Sequence, residues 1–449
     1  MAQYDLIVIG SGPGGYIAAQ RAGTLGKKVL LIEKEHYGGV CTNKGCIPTK
    51  SLLGSAKTYE HAKNGSLFGV DAKDIAFNLK SAMAHKQDTV ETLRGGIEFL
   101  MKSAKVETVF GEAKALDAHR VEVNGTIHEC SYLIIATGSS AFVPPIPGSD
   151  LPHVLTSDDI LEIESLPSEL VVIGGGVIGV EFASFFSMVG VKVTVIEMLD
   201  EILPMADAEF GKLARRAMKD VTFNLGCKVE KITEKSVVYT DAKGERKELA
   251  AEKILMSVGR RPNIAGLEAL GLKIEKGAVV VDEQMRTSLP TVYAIGDVNG
   301  KSLLAHSASR MADVAVSTIF GKGMKMRYDA IPWVVYSNPE IAGCGLTEAQ
   351  AKERGYEVLV HTAQGRQSGR FLAEQGKRAP GMIKVVADKE SGVILGVHLL
   401  GPYSSEIIWG VAALLEAELR IQDIKEIVFP HPSVSELLKD AVFALDSSL

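Results

Sequence analysis

Several things are scarce in this 449-residue chain, and each shortage removes a class of function. It has five cysteines, Cys41, Cys46, Cys130, Cys227 and Cys344. They are too few and too unevenly spaced for the disulfide framework of a secreted scaffold. No stretch approaches the roughly 20 apolar residues of a membrane span, so no membrane association is expected. Lys plus Arg number 49 against 55 Asp plus Glu, a formal charge of -6, and no basic stripe runs along the chain. A nucleic-acid partner is therefore not expected. The chain opens directly on an apolar segment, residues 6–9, without a basic n-region or a small-residue cleavage site. The expectation is a cytoplasmic protein, or one of an organelle matrix if a transit peptide has been removed.

What is present is a repeat. Residues 6–34 align without a gap on residues 170–198, and each copy reads as a buried strand, a glycine turn, a helix and a second apolar strand. Gly10, Gly12 and Gly15 in the first copy, and Gly174, Gly176 and Gly179 in the second, have the G-x-G-x-x-G spacing in the βαβ context that gives it meaning. The first glycine permits the tight turn, the second admits a pyrophosphate, and the third lets helix and strand pack closely. Glu33 and Glu197 end the second strand of each copy, where a carboxylate can accept from a ribose. Two such sites imply two dinucleotides. Met198, Leu199, Asp200 and Glu201 follow Glu197 without an arginine, an acidic run that disfavours a 2'-phosphate and favours NAD over NADP. Gly296-Asp297, after the apolar residues 292–295, places a carboxylate where it can bind the ribityl hydroxyls of a flavin; alone, it reads equally well as a turn.

The second copy is followed by residues 253–258, which run into Gly259, and the first nucleotide domain then resumes near Ile264. Residues 49–102 read as a helical stretch. From about Asp329 the texture becomes β-rich, with helices expected near 405–419 and 433–445. The fold class expected is α/β: two Rossmann-like FAD/NAD(P)-binding domains plus a C-terminal α+β domain. Their bounds are 1–145, 146–263, 264–328 as the return of the first domain, and 329–449.

Cys41 and Cys46 enclose four residues, unlike the C-x2-C of zinc sites, and no matching Cys/His pair stands nearby, so no metal is expected. In a regular helix α-carbons five apart are roughly 8.5 Å from each other, beyond the about 7 Å a disulfide spans. A bridge requires a distorted turn, which Gly38, Gly39, Gly45 and Pro48 can supply. Cys46 would then lie at the positive end of a helix, where a thiolate is stabilised, and Lys50 adds a second positive charge. Spacing alone leaves two readings, a redox pair or two packed reduced thiols. The company of two dinucleotide motifs favours the first. Near the end, His431 is held between Pro430 and Pro432, and Ser433 and Glu436 have capping-box spacing. Glu436 reads equally as a helix cap or as the carboxylate that orients His431.

These residues resemble the pyridine nucleotide-disulfide oxidoreductase family over essentially the whole chain. The carriers are residues 38–50 around the two cysteines, the twin glycine motifs, residues 258–263, 294–297 and 335–341, and His431-Pro432-Ser433 with Glu436. The resemblance implies a homodimer joined by its C-terminal domain, with FAD and NAD as cofactors. It implies oxidation of protein-bound dihydrolipoyl groups, with electrons passing through the Cys41–Cys46 disulfide and FAD to NAD+. The partner it implies is a lipoylated acyltransferase or lipoyl carrier protein. Cys41 becomes the interchange thiol and Cys46 the thiol facing the flavin. Lys50 would pair with Glu181 near the flavin's reactive nitrogen, and His431, oriented by Glu436, would be the acid-base catalyst of the partner subunit's site. FAD would contact Gly10, Gly12, Gly15, Glu33, Lys34, Gly39, Val40, Lys50, Glu112, Thr137, Gly138, Gly296, Asp297 and Ala305. NAD would contact Gly174, Gly176, Val177, Ile178, Gly179, Glu197, Val229 and Gly259. The chain departs from the family's pattern at Ser433, usually threonine, at Phe429-Pro430, and at 310–313, where an acidic-glycine pair is usual. Two alternatives are a glutathione reductase-like enzyme and a flavoprotein subunit of little turnover. The first usually uses NADPH and wants arginines where Asp200 and Glu201 stand; the intact thiol pair and His431 argue against the second.

Overall fold

A computed structural model describes residues 3–446. Leu6, Ile7 and Val8 are fully buried in the strand Tyr4–Ile9, flanked in parallel by Val29–Glu33 and Thr126–Ile135. Strands covered on both faces are apolar throughout rather than alternating, which is why these segments stood out. Glu107–Phe110 lies beyond Val29–Glu33, and Val292–Ala294 pairs with the far side of Thr126–Ile135. The first half of Thr126–Ile135 instead closes an antiparallel meander with Arg120–Val123 and Ala113–Asp117. Helix α1, Pro13–Thr24, descends from the first glycine turn.

The expected helical stretch over 49–102 is corrected to two α-helices, with a short helix ahead of them. Helix α2 spans Gly39–Lys44, α3 Cys46–Lys63 and α4 Leu79–Ser103. Residues 64–78 lack apolar periodicity; Gly69 takes a left-handed φ of 77°, and the Asn78 side chain accepts the Ser81 N–H at 3.0 Å to restart the helix.

The second domain repeats the first. Its parallel sheet runs Val221–Asn224, Lys192–Ile196, Glu169–Ile173, Lys253–Met256, Val154–Leu155, with α5, Val177–Met188, leaving the second glycine turn and α6, Ala208–Ala217, beyond. An antiparallel sheet of Lys228–Ile232, Ser236–Thr240 and Arg246–Ala250 flanks it. The outward and return passes between the domains, Ser139–Ala141 and Arg260–Pro262, pair with each other as a two-stranded ribbon. Only after that return does the chain add Val292–Ala294 to the first sheet and pack α7, Ala305–Phe320, beside α1, where Arg21 and Asp313 pair at 3.0 Å.

The third domain is an antiparallel sheet ordered Trp333–Val335, Ile341–Gly345, Ile394–Leu400, Met382–Asp388, Val358–Gln364. Its helices are α8, Glu348–Glu353, α9, Gly369–Gln375, α10, Ser404–Glu416, α11, Ile421–Lys425, and α12, Glu436–Asp446. The two expected helices are α10 and α12, the latter beginning later than expected because residues 431–435 turn before it. The side chain of Lys384 is 7% exposed where the third domain meets the second. It pairs with Asp207 at 2.9 Å and Glu209 at 2.7 Å from the start of α6, and with Glu348 of α8 at 2.9 Å. Among the described residues no helix is long and apolar enough to cross a membrane.

Candidate active site

Gly45 separates α2 from α3 with φ -150° and ψ -108°, neither helical. That break brings the α-carbons of Cys41 and Cys46 to 4.6 Å, and the two are disulfide-bonded. Asn43, between them, donates to the carbonyls of Tyr37 at 2.9 Å and Gly39 at 2.7 Å, and accepts from Arg94 Nε on α4. The reactive turn is thus pinned from inside and from a neighbouring helix. Cys46 opens α3, a helix of 18 residues whose N-terminal dipole favours a thiolate. Cys130, Cys227 and Cys344 are free and buried.

One turn into α3, Lys50 Nζ donates to Glu181 at 2.8 and 3.1 Å. Glu181 lies on α5 just past the second glycine turn and also accepts the Tyr336 N–H at 2.9 Å. The expected pair is therefore formed, across two domains.

The two glycine turns differ from ordinary turns in which glycines the protein itself requires. A Cβ on Gly10, at φ 97°, would stand 2.3 Å from the Ala136 carbonyl oxygen, and one on Gly15 would stand 1.8 Å from that of Gly10. The corresponding distances at Gly174 and Gly179 are 2.5 and 2.1 Å, to Ser257 and Gly174. On Gly12 and Gly176 a Cβ would meet nothing within 4 Å. The middle glycine faces open space at a helix N-terminus, the place where a pyrophosphate approaches the backbone. A Cβ on Gly39 would come within 2.7 Å of Gly12 Cα, so the chain leading to Cys41 lies against that cradle. Val40 follows within α2.

Glu33 accepts the Ser11 N–H at 2.8 Å, its hydroxyl at 2.7 Å and the Glu35 N–H at 2.8 Å. Glu197 accepts the Gly175 N–H at 2.5 Å and the Leu199 N–H at 2.7 Å, the same positions of the repeat. Each carboxylate first fixes its own glycine turn; its remaining lone pairs are free for a ribose. Arg215 on α6 forms a two-pronged pair with Glu201, at 2.6 and 2.7 Å, and so is engaged within the acidic run. Val177 and Ile178 begin α5, Val229 lies on the flanking antiparallel sheet, and Gly259, at φ 119°, begins the return pass.

Thr137 and Gly138 are locked to the returning chain through Asn263, by bonds of 2.6, 3.0 and 2.9 Å. Asp297 accepts from the Ser139 hydroxyl at 2.5 Å, while Arg260 donates to that hydroxyl at 2.8 Å and to the Ser139 carbonyl at 2.7 Å. Burial nevertheless pushes the Asp297 carboxyl up, against the pull of Ser139 and Arg260. Gly296 opens the short turn that carries it, and Ala305 opens α7. Lys34 and Glu112 are exposed just past the strands Val29–Glu33 and Glu107–Phe110. In the departing segment 310–313, Met311 is buried, and its sulfur accepts the Gly296 N–H at 3.2 Å.

His431 Nδ1 lies 3.1 and 3.0 Å from the Glu436 oxygens. Glu436 also accepts the Ser433 N–H at 3.1 Å, so it caps and orients at once; the Ser433 hydroxyl turns to Ser435 at 2.8 Å instead of completing the box. The Ser433 N–H, His431 and Lys439 hold the Glu436 carboxyl down at about 2. The imidazole is 81% exposed on the single chain.

Sequence reasoning missed Arg94 and Ser139, and gave Asn43, Arg260 and Tyr336 no task. Ser139 meets Asp297 across 158 positions and Arg94 meets Asn43 across 51, separations that leave no local signal.

Two nucleotide cradles, one against the turn that leads to a disulfide and the other joined to the disulfide's helix through Glu181 and Lys50, define a flavin- and nicotinamide-dependent thiol oxidoreductase. The chain belongs to the pyridine nucleotide-disulphide oxidoreductase family: that domain matches residues 4–312, and the family's dimerisation domain matches 331–442. It is an oxidoreductase whose cofactors are FAD and NAD. A dihydrolipoyl dehydrogenase of Thermus scotoductus is 41% identical, covering 99% of this chain and 98% of the relative. One of Geobacillus stearothermophilus is 38% identical, covering 97% and 95%. The HOCl-induced flavoprotein disulfide reductase RclA from Escherichia coli, in its Cu(II) complex, superposes with a TM-score of 0.87 at 30% identity, over 99% of this chain and 100% of the other.

Proposed function

We infer that the chain is a dihydrolipoyl dehydrogenase, acting as a homodimer on a lipoylated acyltransferase or lipoyl carrier protein in the cytoplasm. The observation that carries this reading is the Cys41–Cys46 disulfide, its leading turn at Gly39 set against Gly12 of the first glycine turn and its helix α3 joined to α5 of the second by Lys50 and Glu181, in a chain about 40% identical over nearly its full length to enzymes of that name. The domain bounds follow the sequence reading: 1–145 and 264–328 for FAD, 146–263 for NAD, 329–449 for dimerisation.

In the forward direction His431, from the partner subunit, takes a proton from one thiol of the dihydrolipoyl group. The thiolate attacks Cys41 Sγ, the Cys41–Cys46 bond breaks, and Cys46 leaves as a thiolate stabilised by the α3 N-terminus. The second substrate thiol then attacks the mixed disulfide. Lipoyl leaves oxidised, Cys41 departs as a thiol with the proton that His431 returns, and His431 takes up the proton of the second substrate thiol. Glu436 keeps the Nδ1 side of the imidazole occupied, so that Nε2 faces the thiol. The Gly10–Gly15 turn, Glu33 and Asp297 would hold FAD, which when bound would supply a two-electron carrier between the thiols and NAD+. Lys50 and Glu181 would set a fixed charge pair beside the flavin, and Gly174, Gly176, Gly179 and Glu197 would hold NAD+.

Steady-state turnover of dihydrolipoamide with NAD+ and with NADP+, beside glutathione disulfide with NADPH, tests the assignment. Turnover confined to dihydrolipoamide with NAD+ is expected. Absence of that activity in a flavin-loaded enzyme would sink it.

A further inference from the structure

Lys50 and Glu181 come from the first two domains, yet the third domain reaches both. Tyr336, just past the strand Trp333–Val335, donates its N–H to Glu181 Oε1 at 2.9 Å and sets its ring 4.5 Å from Lys50 Nζ. The Glu181 side chain is 5% exposed and fixed, whereas that of Lys50 is 31% exposed. The carboxylate therefore leaves the ammonium an open side, and the aromatic face covers part of it. Among the described residues the Tyr336 hydroxyl makes no hydrogen bond, and burial pushes its pKa up, so the side chain acts as a neutral ring.

We propose that Tyr336 is a positioning residue for electron transfer, its ring face holding the Lys50 ammonium in register with Glu181. This rests on the reading that places Lys50 at the flavin. A cation over an aromatic face is attracted by the ring's quadrupole. A fixed positive charge favours delivery of an electron pair beside it, while a lysine free to swing into water is screened. The C-terminal domain thus sets the charge between the two nucleotide sites, through a side chain that touches neither thiol.

The test is anaerobic reduction of the holoenzyme flavin by NADH alone, with the flavin midpoint potential measured beside it. No substrate dithiol takes part, so a wild type that NADH reduces but that does not turn over dihydrolipoamide would overturn the substrate assignment and leave this inference standing. Tyr336→Phe should keep the wild-type rate and potential. Tyr336→Leu should slow reduction about tenfold and make the potential more negative. Because leucine can disturb packing, phenylalanines bearing one, two and three ring fluorines at position 336 weaken the quadrupole at nearly constant shape. A stepwise fall in rate and potential along that series is expected. A flat series, or Tyr336→Leu indistinguishable from Tyr336→Phe, overturns the proposal, as does a series that changes only the melting temperature.

Discussion

At the scale of the residue, Cys41 and Cys46 have unequal surroundings. Cys46 opens α3, and Lys50, one turn further, carries a positive charge paired with a buried carboxylate. A thiolate there can share charge with an oxidised flavin, so Cys46→Ser should abolish the long-wavelength absorbance of the two-electron-reduced enzyme while Cys41→Ser retains it. Persistence of the band in Cys46→Ser would reverse the two roles. Glu436 supports a pH prediction. Its carboxyl is held at about 2, below the ordinary glutamate value of about 4.3. Any stability it contributes is present above that ordinary value and is lost as pH falls towards 2. Its negative charge therefore persists through the working range, and kcat should show no carboxylate inflection near about pH 4. Glu436→Gln should lower kcat at least about tenfold at neutral pH, with substrate KM changed less.

At the scale of the element, the glycine turns separate stability from affinity. A methyl on Gly12 meets no protein atom, so Gly12→Ala should leave the melting temperature of the apoprotein within about 1 °C, since surface changes of this kind cost under about 0.5 kcal/mol. It should nevertheless weaken FAD binding at least tenfold, about 1.4 kcal/mol or more, measured by flavin fluorescence titration. Gly15→Ala, with its methyl forced onto Gly10, should fail on both counts. Elements of this kind were legible in the sequence because their constraints are local. A buried parallel strand must be apolar throughout, and a phosphate turn must carry glycines at set intervals. The meander strands of 113–131, the break at 64–78 and the short helices α8 and α9 were not legible: each is set by what it packs against rather than by its own periodicity. The ties to the disulfide turn and to Asp297 escaped for the same reason, since Arg94 and Ser139 are unremarkable residues until the fold brings their partners to them.

At the scale of the whole molecule, several contacts hold the three domains in register, among them an apolar cluster that buries Leu52, Phe185 and Ile341 together. Lys384 is another, a buried ammonium serving three carboxylates from two domains. Lys384→Met should leave those carboxylates facing one another and destabilise the protein by about 3–5 kcal/mol, read as a lower denaturation midpoint of the holoenzyme. The exposed His431 gives a prediction about assembly. Cys41→Ser and His431→Gln homodimers should each be nearly inactive, and subunit exchange between them should restore one working site in each mixed dimer. Activity that stays flat on mixing would place His431 in its own chain's site.

The paired passes Ser139–Ala141 and Arg260–Pro262 also order events in time. A ribosome delivers the chain from its N-terminus, so the whole second domain is finished before Val292–Ala294 and α7 exist to complete the first. The sheet that begins the protein is the last of the two nucleotide sheets to close. A nascent chain arrested just after residue 263 should already retain NAD while flavin passes it by. Only the strand added after the detour completes the place where FAD can stay.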